Sequence, residues 1–180
     1  MPKVVDHDER RATIVRATCT LIADEGLDSA TMRRIADRAG STTGLVTHYF
    51  GSKDEVLLAA LQHVHRAAGA RMTAAVRDLD GDEPLRAVVG EALPLDDERR
   101  NEWKVWLAFW GRAASDDALA AEQRARYVEW KALLASLLPN DGRTAVDELI
   151  ALIDGIGMRA TLDPDGFPPA VQRALVEPAL

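Results

Sequence analysis

Several things are scarce in this 180-residue chain, and each shortage narrows what it can be. A single cysteine, Cys19, excludes a disulfide framework within the chain; its place in a helical apolar pattern predicts an inert buried residue. No apolar run approaches the ~18 residues of a membrane-spanning helix. The opening MPKVVDHDERR has no apolar core of a signal peptide, so a cytoplasmic protein with no membrane partner is expected. Alternating Val/Ile/Thr runs, the mark of strands, are missing. So are a Ser/Cys–His arrangement and metal-ligand spacing: His63 and His65, two apart on a helix, face different sides, and a solvated or helix-end role is expected for them. Gly155-x-Gly157 lies mid-helix with no strand before it and is no nucleotide loop. No acid, base or nucleophile set supports an enzyme, and no cofactor is expected.

What is present is 47% apolar and 28% charged residues, the balance of a folded globular chain. The net charge of −7 is unevenly placed. The first 66 residues hold nine Lys/Arg and nine Asp/Glu, so the remainder carries the whole excess. That asymmetry suits an N-terminal module that tolerates a polyanion, although the module has no basic patch.

Apolar positions recur every three and four residues almost throughout, which predicts about nine helices and an all-α fold. Ile14, Ala17 and Leu21 form the stripe of a helix that Gly26 stops. Thr31 can cap a short second helix that ends at Gly40, and a third runs from Thr43 to Phe50. Ser52-Lys53-Asp54-Glu55 has the form of a capping box opening a long fourth helix. Later helices are expected at about 84–91, from Asp96-Asp97, from Asp116-Asp117 to the break at Pro139-Asn140-Asp141-Gly142, onward to about Leu162, and near Pro168–Leu175.

Three short helices, the second and third joined around a glycine, match a helix-turn-helix. Ser41, Thr42 and Thr43 bring hydroxyls and free helix N–H groups suited to phosphate oxygens. Gly44 removes a side chain where protein and DNA backbones would meet. Thr31–Leu61, with Thr31, Ile35-Ala36, Ala39-Gly40, Gly44, Tyr49-Phe50 and Ser52-Lys53, resembles the DNA-binding segment of the TetR family of bacterial transcriptional regulators. The resemblance implies DNA contacts at Thr31, Thr42, Thr43, Gly44, Thr47, His48, Tyr49 and Lys53, with Leu45 packing the recognition helix inward. Ser41 stands where the family usually has an apolar residue, and Thr47 where it often has tyrosine. It further implies a double-stranded DNA operator, a small-molecule effector and a homodimer as partners.

Trp103–Trp110 and Ala151–Leu162 resemble the regulatory domain of the BetI-like subgroup, named for a repressor that responds to choline. On this reading residues 1–55 bind DNA, while residues 56–180 bind ligand and dimerise. Trp103, Trp106, Phe109 and Trp110 crowd one helix beyond what packing asks, and indole faces attract cations. They serve either as core or as the lining of a site for a cationic amine or quaternary ammonium compound, with Glu102 or an acid from another helix as countercharge. A neutral apolar ligand stays open. For the dimer, the resemblance points to the last two helices, here Leu149, Leu152, Ile153, Ile156, Val171 and Leu175, with Gly155 and Gly157 allowing close approach. A helical adaptor without DNA binding remains the alternative, favoured by the missing basic patch.

Overall fold

The computed structural model describes residues 7–138 and 143–180; the charged segment before His7 and the expected break at Pro139–Gly142 lie outside them. Among the described residues the regular structure is helical: α1 (His7–Glu25), α2 (Met32–Arg38), α3 (Thr43–Phe50), α4 (Lys53–Ala75), α5 (Glu83–Ala92), α6 (Asp97–Ala113), α7 (Asp117–Leu137), α8 (Arg143–Leu162) and α9 (Pro169–Val176). Two 3-10 turns, Leu27–Ser29 and Glu177–Ala179, complete it.

The helix starts follow from local chemistry. The hydroxyls of Thr31, Thr42 and Ser52 accept hydrogen bonds from the backbone N–H of Arg34, Leu45 and Glu55 at 3.2–3.3 Å. Asp96 caps α6 through Arg99 N–H at 2.8 Å, and Asp116 caps α7. Each side chain satisfies a donor that the helix cannot. Gly40, at φ +61°, turns the chain out of α2 while Ser41 N–H donates back to the Ala36 carbonyl at 2.9 Å. This Schellman closure fixes the angle between α2 and α3. The 3-10 turn after α1 was not legible in the sequence; it places Leu27 in the core.

α1 packs against α2, α4 and α6, and α6 in turn packs against α7 and α8. That central place explains why α6 is apolar on nearly every side: Trp103, Val105, Trp106 and Phe109 are all buried. An ion-pair network joins α4 to α5 and α6. Arg71 binds both oxygens of Glu102 at 2.8 and 2.6 Å and reaches Glu91 at 3.2 Å, and Glu91 also meets Arg99. Cys19 lies beside α4 with its Sγ 3.6 Å from the Ala60 carbonyl, and burial pushes its thiol up to about 12, which leaves it unreactive. No described helix is long and apolar enough to cross a membrane.

Candidate functional site

Two surfaces of the molecule collect the candidate residues. The first is the outer side of α3. Thr42, Thr43, Gly44, Thr47 and His48 are exposed together, while Val46 and Phe50 are fully buried and hold the helix down. Leu45 is only half-buried, so the inward anchor is its neighbour Val46. Thr31, at the start of α2, and Lys53, at the start of α4, flank this face; Thr31 is exposed and Lys53 half-buried. Tyr49 is half-buried, with its hydroxyl 3.0 Å from His7 Nδ1 and its ring 5.5 Å from that of His48. His7 therefore joins the face from α1, a contact no local pattern announces.

The scarcity of free positive charge here has a structural cause. Arg38 pairs with Asp24 at 2.8 Å and Glu25 at 3.1 Å, Arg34 pairs with Glu25, and Arg16 pairs with Glu9 at 2.6 Å. These cations brace α1 and α2. The α3 face presents instead two capped helix N-termini, at Thr42 and Ser52, with hydroxyls around them. Unpaired N–H groups at such ends attract anions.

The second surface is a cavity of about 390 Å³ walled by α4, α6, α7 and α8. Trp103, Trp106 and Trp110 descend from α6, Tyr127 and Trp130 come from α7, and His65 and Met72 from α4. All four tryptophans of the chain thus converge on one space. Trp103 meets Trp106 and Trp110 edge-to-face at 5.4 and 5.7 Å, Trp110 stacks on Tyr127 at 6.4 Å, and His65 stacks on Trp106 at 5.8 Å.

Two residues read as lining candidates lie elsewhere. Phe109 is in the core, and Glu102 is turned to Arg71. The carboxylate in the wall is Asp154 of α8, which accepts a 2.6 Å hydrogen bond from the Tyr127 hydroxyl. Burial raises the Asp154 carboxyl above its ordinary value, partly offset by the Tyr127 bond; burial, and after it the bond and charge of Asp154, raise the Tyr127 hydroxyl. Asp154 makes no ion pair among the described residues, whereas the Arg126 guanidinium nearby is held by Glu122 at 3.4 Å and Glu129 at 2.7 Å. His65, expected to be solvated or at a helix end, is instead in the wall, and burial lowers it to about 4, so it is neutral at pH 7. The signal for Asp154 was present in the sequence as a lone acid inside an apolar run; that for Tyr127 and Trp130 was their i, i+3 spacing.

The residues assigned to a subunit interface separate into two groups. Leu149, Ile153 and Ile156 are buried within their own chain, and Leu152 is half-buried. Val171 and Leu175 of α9 are exposed, as are Met158 and Leu162 of α8, 43% and 74% exposed, and the two helices pack together. Ala151, Gly155, Met158 and Leu162 follow one another at four- and three-residue steps along the outside of α8.

Two family profiles match the chain. The sequence profile of the tetR family of bacterial regulatory proteins matches residues 14–60, and that of the BetI-type transcriptional repressor C-terminal domain matches residues 81–180. The HTH-type transcriptional regulator PksA of Bacillus subtilis is 34% identical over 175 residues, covering 91% of this chain and 84% of that protein. The HTH-type transcriptional regulator BetI of Burkholderia thailandensis is 38% identical over 175 residues, covering 90% of this chain and 87% of its own length. Among solved structures, a protein from Saccharomonospora viridis in complex with choline superposes with a TM-score of 0.88 at 24% identity, over 96% of this chain and 95% of that one. At that identity the likeness is one of fold.

Proposed function

The chain belongs to the TetR family of bacterial transcriptional regulators, with a BetI-type C-terminal domain, and from that premise we propose that it is a cytoplasmic, homodimeric repressor released from a palindromic operator by a small organic cation. It is a regulator and not an enzyme. Residues 1–55 form the DNA-binding unit, and residues 56–180 bind the effector and dimerise.

The observation that carries the effector class is the cavity itself: four indoles and a phenol around a half-buried carboxylate with no ion-pair partner among the described residues. Each aromatic face offers a desolvated cation about 0.5–2 kcal/mol, and Asp154 supplies the countercharge. The relative solved with choline supports the same chemistry.

In the dimer, Met158, Leu162, Val171 and Leu175 meet their copies across the two-fold axis. The two α3 helices then enter successive major grooves about 34–36 Å apart. Thr42, Thr43, Lys53 and the helix N-termini hold phosphates, while Thr47 and His48 reach base edges. Two connections carry the signal. α4 begins at Lys53 and reaches the cavity at His65, ~18 Å along one continuous helix. α6 carries three of the indoles, packs on α1, and ends near Arg112, which lies 3.5 Å from Asp54. A cation that binds better to one arrangement of α4 and α6 shifts the spacing of the reading helices by that differential affinity.

The test is a calorimetric titration of wild type and Asp154→Asn with choline and with its neutral isostere 3,3-dimethylbutan-1-ol. Choline should bind wild type far better than the alcohol, release a promoter fragment, and bind Asp154→Asn roughly ten- to a hundredfold more weakly. Equal binding of cation and alcohol would instead assign the cavity to neutral apolar ligands. Promoter binding that ignores salt, or survives Lys53→Ala unchanged, would count against the docking.

A further inference from the structure

The two glycines of Gly155-x-Gly157 meet very different surroundings. A Cβ added to Gly155 would find nothing within 4 Å. One added to Gly157 would lie 2.1 Å from Cζ2 and Cη2 of Trp103 and 2.5 Å from its Cε2. Gly157 is buried, so its missing side chain serves a contact within the chain, not an approach between subunits. The Trp103 indole lies flush against α8 at this point and is held there. Its Nε1 donates to the Ala92 carbonyl at 2.8 Å, and its edges meet Trp106 and Trp110. The ring is 2% exposed, and the unfilled space beside it is the cavity that it lines.

We propose that Gly157 sets the depth of the tryptophan cage and with it the size of cation head the cage accepts. By carrying no side chain, it lets Trp103 recede against α8 and leaves room for a fully methylated ammonium. Any side chain at 157 drives the indole roughly 1 Å or more toward the cavity, because the ring is packed elsewhere. Gly157 is a positioning residue that acts through Trp103, and the proposal rests on reading the cavity as an organic-cation site.

The experiment is a double-mutant cycle of Gly157→Ala and Trp103→Phe, with choline and ethanolamine as probes and operator binding as control. Gly157→Ala should weaken choline about tenfold or more, change ethanolamine by no more than about twofold, and leave operator affinity within about twofold. In the Trp103→Phe background the smaller ring clears the methyl, so adding Gly157→Ala should change neither choline affinity nor melting temperature. Unchanged choline binding in Gly157→Ala overturns the proposal. So does a Gly157→Ala defect, in binding or folding, that persists undiminished beside Trp103→Phe. If wild type binds neither compound, the cation reading falls by itself. The near-ultraviolet circular dichroism of the tryptophans then decides the Gly157 role: Gly157→Ala must alter it, and Trp103→Phe must erase that alteration. An unaltered spectrum overturns the inference.

Discussion

Ser41 stands in the turn between α2 and α3 with its Oγ buried and unpartnered among the described residues. The resembled family usually has an apolar residue here, and the buried Oγ finds no protein hydrogen-bond partner among the described residues that would offset its desolvation. We expect Ser41→Ala to raise stability by about 0.5–1 kcal/mol in thermal or denaturant unfolding. A lower melting temperature would mean that the hydroxyl is bonded. His65 offers a second check at this scale. Its folded pKa of about 4 lies below the ordinary value of ~6.5, so on acidification the unfolded chain takes up the proton first. The contribution of neutral His65 is complete above the unfolded value and is lost as pH falls toward 4. Asp154, raised by burial, works in the opposite direction over its own range. The melting temperature should therefore fall more between pH 7 and pH 5 in wild type than in His65→Gln; parallel curves would contradict the burial of that ring.

At the scale of elements, α3 shows how much of a helix can be decided by what is not packed. Its start and end were expected from the sequence; the closing Gly51 at φ +62° and the anchor, Val46, one place beyond the expected Leu45, come from the structure. Gly44 is the telling residue. A Cβ there would touch nothing within 4 Å, so the fold has no need of a glycine at that point. Gly44→Ala should leave stability unchanged or raise it by up to ~1 kcal/mol, since alanine is the better helix former. If backbone closes on backbone in the complex, the same change should cost about 1–2 kcal/mol of operator affinity. Mobility shift and thermal unfolding on one preparation separate the two effects; unchanged DNA binding would move the contact away from Gly44.

At the scale of the whole molecule, α8 is asked to do three things at once. Its inner side builds the core through Leu149, Ile153 and Ile156, its flank gives Asp154 to the cavity, and its outer side leaves Met158 and Leu162 exposed, as α9 leaves Val171 and Leu175. A sequence reading lists these apolar residues together, because a helix apolar on more than one side does not say which side another subunit covers. We expect Leu162→Glu to shift sedimentation toward the monomer while helical content is kept. Ile156→Ala should cost about 2–4 kcal/mol of stability through a cavity in its own chain and leave assembly of the folded fraction intact. If Leu162→Glu sediments as wild type does, this face is not the proposed subunit contact. Coupling also belongs to this scale. The cavity shares α4 with the helix-turn-helix and α8 with the exposed apolar residues, so the proposed effector would act on walls that touch both.

The sequence by itself determined the helices, their caps, the helix-turn-helix and the family, because each rests on residues three or four apart or on a short turn whose chemistry is local. It also left the tryptophans of α6 open as core or as the lining of a site. Only the tertiary structure decided what faces them. Glu102, the acid next in sequence to Trp103, is spent on Arg71, while Asp154, distant in sequence, closes the cage with Tyr127 and Trp130. It likewise paired the basic residues of α2 with Asp24 and Glu25, and joined His7 to Tyr49. Burial, charge pairing and cavity lining depend on elements brought together across the chain, and no periodicity within one helix records which neighbour will arrive.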